Sequence, residues 1–303
     1  MLTKINQFVQ STRKSTVPWL NKHEHIQSYA SAIRTKYSNL TGPFHAYPDF
    51  LIIGVKKGGS TSLYRNLVTH PRIEPCLTKE VDYFNRYFRK GTNWYRSHFP
   101  LILFKKYSSK VGREFVTGEA TPTYIYHPHA PKRIKKILPK VKLIIILRNP
   151  VDRAFSHYNM AVLHKNENLN FDEAIENEQK RIEGEFERME NDEDYFSYNF
   201  QTYSYVQSGM YAKQLKRWLE IFPKKQLLIL KSEDFSQNPQ TIFNQVFDFL
   251  NLPNWNVKKY KKFSLTSRNK KMDSNTRKKL IEYFKPHNEE LYQLIGKNLE
   301  WDR

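Results

Sequence analysis

Residues 50–71 constrain the chain more than any other stretch. FLIIGV (50–55) is a short apolar run bounded by glycine, the pattern of a strand buried on both faces in a parallel sheet. Gly54, Gly58 and Gly59 follow, three of only ten glycines in the chain. STSLYRNLVTH then sets Leu63, Leu67 and Val68 on one helical face, and His70-Pro71 ends the helix. Glycines let backbone approach an anion, and the free N–H groups and dipole of a helix start complete a phosphate cradle. Lys56, Lys57, Gly58, Gly59, Ser60, Thr61 and Ser62 are therefore candidate phosphate contacts, the lysines adding charge and the hydroxyls adding donors. In the triphosphate pattern GxxxxGK[ST], Gly54 and Gly59 match, but Ser60 stands where the lysine belongs. Lysines inside the loop suit a monoester or mixed-anhydride phosphate rather than a triphosphate with its Mg²⁺.

The rest of the chain repeats the strand–helix alternation. Glu114–Thr117 (EFVT) reads as a strand before a GEATP turn. KLIIIL (142–147) runs into the turn Arg148-Asn149-Pro150 and the helix VDRAFSHYNMAVLHK. QLLIL (226–230) lies between the helices YAKQLKRWLEIF and QTIFNQVFDFLNL. Alternating strands and helices imply an α/β fold, a P-loop-like parallel sheet flanked by helices on both faces. We expect a single domain over 48–303, preceded by a basic helix and loop extension at 1–47. Ligands of such sheets bind beyond the carboxyl ends of the strands, where both the GVKKGGST loop and the RNP turn belong. There Arg148 offers a guanidinium fork, and Ser156, two helical turns on, a hydroxyl for a terminal phosphate.

Charge narrows the ligand class. The 303 residues hold 50 Lys+Arg against 30 Asp+Glu, a net charge of +20. Residues 171–194 carry 11 acids and three bases, so the remainder of the chain is at +28. A dense basic run, residues 258–279, has ten bases and one acid. Such charge suits nucleic acid, anionic lipid or a phosphate- or sulfate-bearing ligand, but no zinc-finger spacing, RNP motif or basic zipper supports nucleic acid. The longest aliphatic runs, Leu143–Leu147 and Leu227–Leu230, fall far short of the roughly 20 residues of a membrane span. The start, MLTKINQFVQSTRKST, lacks the apolar core of a secretory signal. Its Leu2, Ile5, Phe8 and Val9 sit at roughly helical spacing beside Lys4, Arg13 and Lys14, an amphipathic start with peripheral membrane contact as its functional reading. A single cysteine, Cys76, precludes an intrachain disulfide or a cysteine metal cluster and points to a cytoplasmic compartment.

At IIGVKKGGSTSLYRNL and again at LIIILRNPVDRAFSHY, the sequence resembles the sulfotransferases that use 3′-phosphoadenosine 5′-phosphosulfate (PAPS), with the heparan sulfate type and its bacterial relatives nearest in pattern. KEVDYF, ATPTY, SGMYAKQLKRWLEIFP and LIEYFKPHNEELYQLIGKNLEWD extend the resemblance over roughly 48–302. It implies PAPS as sulfuryl donor, with PAP (3′-phosphoadenosine 5′-phosphate) as product. Lys57 would contact the leaving phosphate, Arg148 and Ser156 the 3′-phosphate, and Tyr211 the donor from the SGMY segment. Within the basic run, Arg268, Asn269 and Lys270 resemble the donor-contacting turn of a closing segment, although SRNKK here lacks the glycine that relatives carry.

Sulfuryl transfer to a hydroxyl or amine is an in-line displacement that needs a base for the acceptor proton and cations for the developing charge. The resemblance implies Glu80, in TKEVDYFN, as that base. No metal is required, and no metal-ligand spacing is evident. Asp82 stands where some relatives carry histidine, and Ala120 where they carry a lysine near the chemistry; both leave the acceptor open. The expected acceptor is a carbohydrate or another, preferably anionic, compound. A P-loop nucleotide or sugar kinase and a non-enzymatic nucleic-acid-binding protein are the readings set against it.

Overall fold

The computed structural model describes residues 37–258, 260–263 and 271–301. The amphipathic start and the turn Arg268-Asn269-Lys270 lie outside the described residues. A five-stranded sheet in the order β2-β3-β1-β4-β5 forms the centre. Its strands are β1 (Phe50–Gly54), β2 (Ile73–Pro75), β3 (Val116–Ala120), β4 (Lys142–Leu147) and β5 (Leu227–Lys231). Every pairing is parallel. All five residues of β1 and all but the first of β4 are buried. Successive strand residues face opposite sides, so the sheet is covered on both faces, as the apolar runs imply.

The helices that matter to the site are α1 (Ser60–Leu67), α2 (Pro150–Leu163), α3 (Tyr211–Leu219), α4 (Pro239–Leu250) and α5 (Ser274–Ile295). β1 lies mid-sheet, with β3 on one side and β4 on the other. The chain leaves β1 for one edge and later returns to pair β4 on its far side. This reversal puts the topological switch at the carboxyl end of β1, where open α/β sheets bind ligands.

Two readings from sequence change. β3 spans Val116–Ala120 rather than 114–117, so Gly118 and Glu119 are strand, not turn. β2, only three residues long and ending in Pro75, has no strand signature; an edge position tolerates a residue that donates no ladder hydrogen bond. The lead-in is also partly packed. Ala46 N–H donates to Pro100 O at 2.8 Å and Arg96 to His45 O at 2.8 Å, tying residues 42–47 to the body. No helix among the described residues is long and apolar enough to cross a membrane.

Candidate active site

The loop between β1 and α1 folds back on the end of β4. Val55 N–H donates to Ile146 O at 3.0 Å, and Gly58 N–H to Val55 O at 2.9 Å. A Cβ on Gly58 would lie 2.4 Å from Ile146 O, so only glycine fits this approach. Gly59, the residue before α1, has φ 107, in the region that favours glycine. Lys57 takes φ 70 without being glycine, a strain of roughly 1–3 kcal/mol of the kind that collects at ligand-binding turns. No side chain caps α1, so its first-turn amides remain available to an anion.

The two motifs meet here. Arg148 Nη1 donates to Lys57 O at 3.2 Å, which joins the RNP turn to the glycine-rich loop. Burial, then the Arg148 charge, pushes Lys57 down to about 8. Burial also pushes Lys56 down to about 7; Arg153 and Lys57 act in the same direction, while Glu80 and Asp82 oppose them. Lys56 Nζ donates to Gln201 O at 2.6 Å. This crowding of cations is costly in the free protein, and an anion in the loop would relieve it.

The RNP turn is held from behind. Asn149 Oδ1 accepts Val151 N–H at 3.0 Å, capping α2, and Asn149 N–H donates to Glu233 at 2.9 Å. Tyr211 is buried, and its hydroxyl donates to Arg148 O at 2.8 Å, so it braces the backbone of Arg148. Ser156 is half-buried on α2. Ser60 and Ser62 are buried, and Ser62 Oγ accepts Phe263 N–H at 2.9 Å.

Two residues beneath the loop were not singled out from sequence. Arg153 is fully buried, donates to Tyr205 O, and has Nε and Nη1 without partners. His157, one turn on, is buried near the Gln201 backbone, and burial with Lys56 and Arg153 keeps it well below its ordinary range, hence neutral. The available signal was an Arg and a His on the otherwise apolar, inward stripe of α2. A buried guanidinium next to Lys56, with no acidic side chain hydrogen-bonded to it, fits a polyanionic ligand better than an apolar one.

Glu80 follows the loop after β2. It and Asp82 take φ 61 and 53. Its side chain is 47% exposed and pairs with Lys79. Asp82 accepts Asn85 Nδ2 at 3.0 Å and Thr123 Oγ1 at 3.3 Å, and burial raises its carboxyl. A cleft of about 370 Å³ opens beside Lys56, lined by Arg86, His157, Phe196, Tyr198 and Gln201. The Arg86 guanidinium lies over Phe196 at 4.9 Å and Tyr198 is exposed, so the cleft offers a cation held on one ring and a second ring open to solvent. A second cavity, of about 430 Å³, is lined by Asp49, Val116 and Lys142, at the opposite ends of the strands. Among the described residues no group of His, Cys, Asp and Glu could hold a metal ion.

The basic run is anchored at both ends. Asn66 and Lys261 exchange hydrogen bonds of 2.9 and 3.1 Å, and the Arg65 guanidinium lies 4.6 Å above the Phe263 ring. After 270, Asp273 caps α5, Thr276 donates to Asp172 at 2.6 Å, and Arg277 pairs with Asp152 of α2 at 2.7 Å. The described ends of the run thus pack on α1 and α2, the helices that follow the glycine-rich loop and the RNP turn.

Comparison with known proteins gives a consistent picture. The sulfotransferase domain family matches residues 47–298. The chain is 27% identical to the membrane-associated sulfotransferase kil1 of Dictyostelium discoideum, over 93% of this chain and 72% of that protein. It is 31% identical to the human bifunctional heparan sulfate N-deacetylase/N-sulfotransferase 3, over 82% of this chain but only 30% of that protein. The crystal structure of a sulfotransferase from Alicyclobacillus acidocaldarius superposes with a TM-score of 0.63 at 29% identity, covering 85% of this chain and all of that one.

Proposed function

The chain belongs to the sulfotransferase domain family, a family whose donor is of the PAPS type, and from that premise we propose that it transfers a sulfuryl group from PAPS to a hydroxyl or amine of a carbohydrate acceptor. The observation that carries this reading is the junction at which Arg148 donates to the Lys57 carbonyl, with Lys56 in the field of Glu80. That junction joins the two motifs proposed as phosphate sites, with Glu80 acting on the charge of Lys56 from nearby.

When bound, PAPS supplies the sulfuryl group and a phosphate leaving group. The amides of Gly59 to Ser62, with Lys56 and Lys57, hold the 5′ end, and Lys57 stabilises charge developing on the leaving oxygen. Arg148 and Ser156 take the 3′-phosphate, Tyr211 keeps Arg148 in place, and Arg268, Asn269 and Lys270 complete the donor contacts. Glu80, exposed and near enough to Lys56 to act on its charge, takes the acceptor proton. The cleft of Arg86 and Tyr198 suits a sugar, because the exposed Tyr198 ring can stack on a sugar ring and a guanidinium pairs with carboxylate or sulfate. The kinship to a heparan sulfate enzyme supports such an acceptor.

Calorimetry should show PAP binding to the wild type and equally to Glu80→Gln. Glu80→Gln should lower kcat by about 10²–10⁴-fold, the usual worth of a general base, measured as labelled sulfate moved to a glycan panel. Absence of PAP binding removes the donor; full activity in Glu80→Gln removes the base.

A further inference from the structure

Glu119 lies in β3 and is fully buried, an uncommon position for a carboxylate. Its four neighbours are all donors. Oε2 accepts Thr121 Oγ1 at 2.6 Å and Val81 N–H at 3.4 Å; Oε1 accepts Tyr124 OH at 2.8 Å and Tyr95 OH at 3.3 Å. The hydroxyls oriented this way turn their lone pairs to the loop that carries Glu80. Thr121 Oγ1 accepts Asp82 N–H at 3.4 Å, and Tyr124 OH accepts Tyr83 N–H at 3.0 Å. Three consecutive amides, those of Val81, Asp82 and Tyr83, are therefore tied to one carboxylate, directly or through one hydroxyl. They follow Glu80 immediately, in a loop whose left-handed turns at Glu80 and Asp82 would not persist without such restraint.

We propose that Glu119 is the positioning residue for Glu80, fixing through these three amides the loop from which the carboxylate reaches the acceptor. The proposal rests on the reading of Glu80 as base. Among the described residues the side-chain hydrogen bonds of Glu119 go to Val81, Tyr95, Thr121 and Tyr124 and none goes to the loop at 55–59, so its effect belongs to the proton-transfer geometry and not to nucleotide binding. Burial pushes its carboxyl up to about 7, against donation from Thr121 and Tyr124. A group so costly to bury, and so fully surrounded by donors, is better explained by the loop it holds than by packing of β3.

The test is a double-mutant cycle on the full-length chain, read as kcat, KM and calorimetric PAP affinity. Glu119→Gln keeps the shape but sets an amide NH₂ against donors. It should lower kcat at least about tenfold, leave PAP affinity within about twofold, and lose little more when combined with Glu80→Gln, because coupled residues are non-additive. Full kcat in Glu119→Gln beside an inactive Glu80→Gln overturns the proposal alone. So does a cycle in which the two losses multiply, since a merely structural defect would also act without Glu80. Full kcat in Glu80→Gln overturns the base assignment and the proposal with it. Should Glu119→Gln fail to fold by thermal melting, Tyr124→Phe removes one arm and is read in the same cycle. A non-additive loss supports the proposal, and unchanged kcat overturns it.

Discussion

Lys56 and Lys57 are the residues whose state depends most on what occupies the loop. In the free protein, burial and neighbouring cations push them down to about 7 and 8. A polyanion against their ammonium groups favours the charged form, so binding takes up protons wherever the free lysines have lost them. At pH 6 both already carry their protons; at pH 8 they do so only in part. PAP affinity should therefore fall as pH rises from 7 to 9, by about tenfold from Lys57 alone, with Lys56 adding in the same direction. Calorimetry at pH 8 in buffers of different ionisation enthalpy should register net proton uptake; none would mean that these lysines do not face the anion. The sequence made Lys57 and Arg148 legible because each sits where a strand motif ends. It did not single out Arg153, His157 or Glu119, because a buried polar residue is told from an exposed one by its neighbours, and those come from α2, from residues 201–205 and from the loop at 81–84.

At the level of elements, the loop works by pressing against β4. Gly58 has no room for a methyl group, since its Cβ would meet Ile146 O at 2.4 Å and Val55 Cγ2 at 2.9 Å. Gly58→Ala must lift the loop off β4, at a cost on the order of 1–3 kcal/mol. Moving the loop also displaces Lys57 O from Arg148, so the variant should lose PAP affinity at least about tenfold while Tm falls by a few degrees. Wild-type PAP affinity in Gly58→Ala would show that the loop's fit to β4 does not matter for the donor. The strand–loop–helix units were legible because apolar runs and glycines are local signals. β3 was read short because Gly118 and Glu119 look like turn residues. Gly118 pairs with Phe50 of β1 and Pro75 of β2, and Glu119 accepts from the distant Val81 N–H and Tyr95 OH as well as from nearby Thr121 and Tyr124, so contacts with the neighbouring strands decided where the strand ends.

For the whole molecule, the net charge of +20 is distributed with a purpose that composition alone cannot give. Several acids of the acidic stretch are engaged within the protein. Glu178 is buried and accepts Val206 and Gln207 N–H at 2.7 and 2.8 Å, Glu185 accepts Ser197 Oγ and Tyr195 OH, Asp194 pairs with Arg89, and Asp172 accepts Thr276. These acids brace the short helices and the start of α5, and Glu178 also acts on the charge of the buried Arg153 beside the site. The site itself contains two kinds of cation. Lys56 and Lys57 are sheltered, and salt screens them weakly; Arg86 at the cleft is exposed, and salt screens it strongly. The Debye length falls from about 10 Å at 0.1 M to about 3 Å at 1 M, so ionic strength should separate donor from acceptor. With a sulfated or carboxylated glycan, raising salt from 0.05 to 0.5 M should raise acceptor KM on the order of tenfold while PAP affinity changes much less. With a neutral sugar KM should barely move. A salt-insensitive KM for an acidic glycan, with PAP affinity intact, would show that the surplus charge does not serve the acceptor.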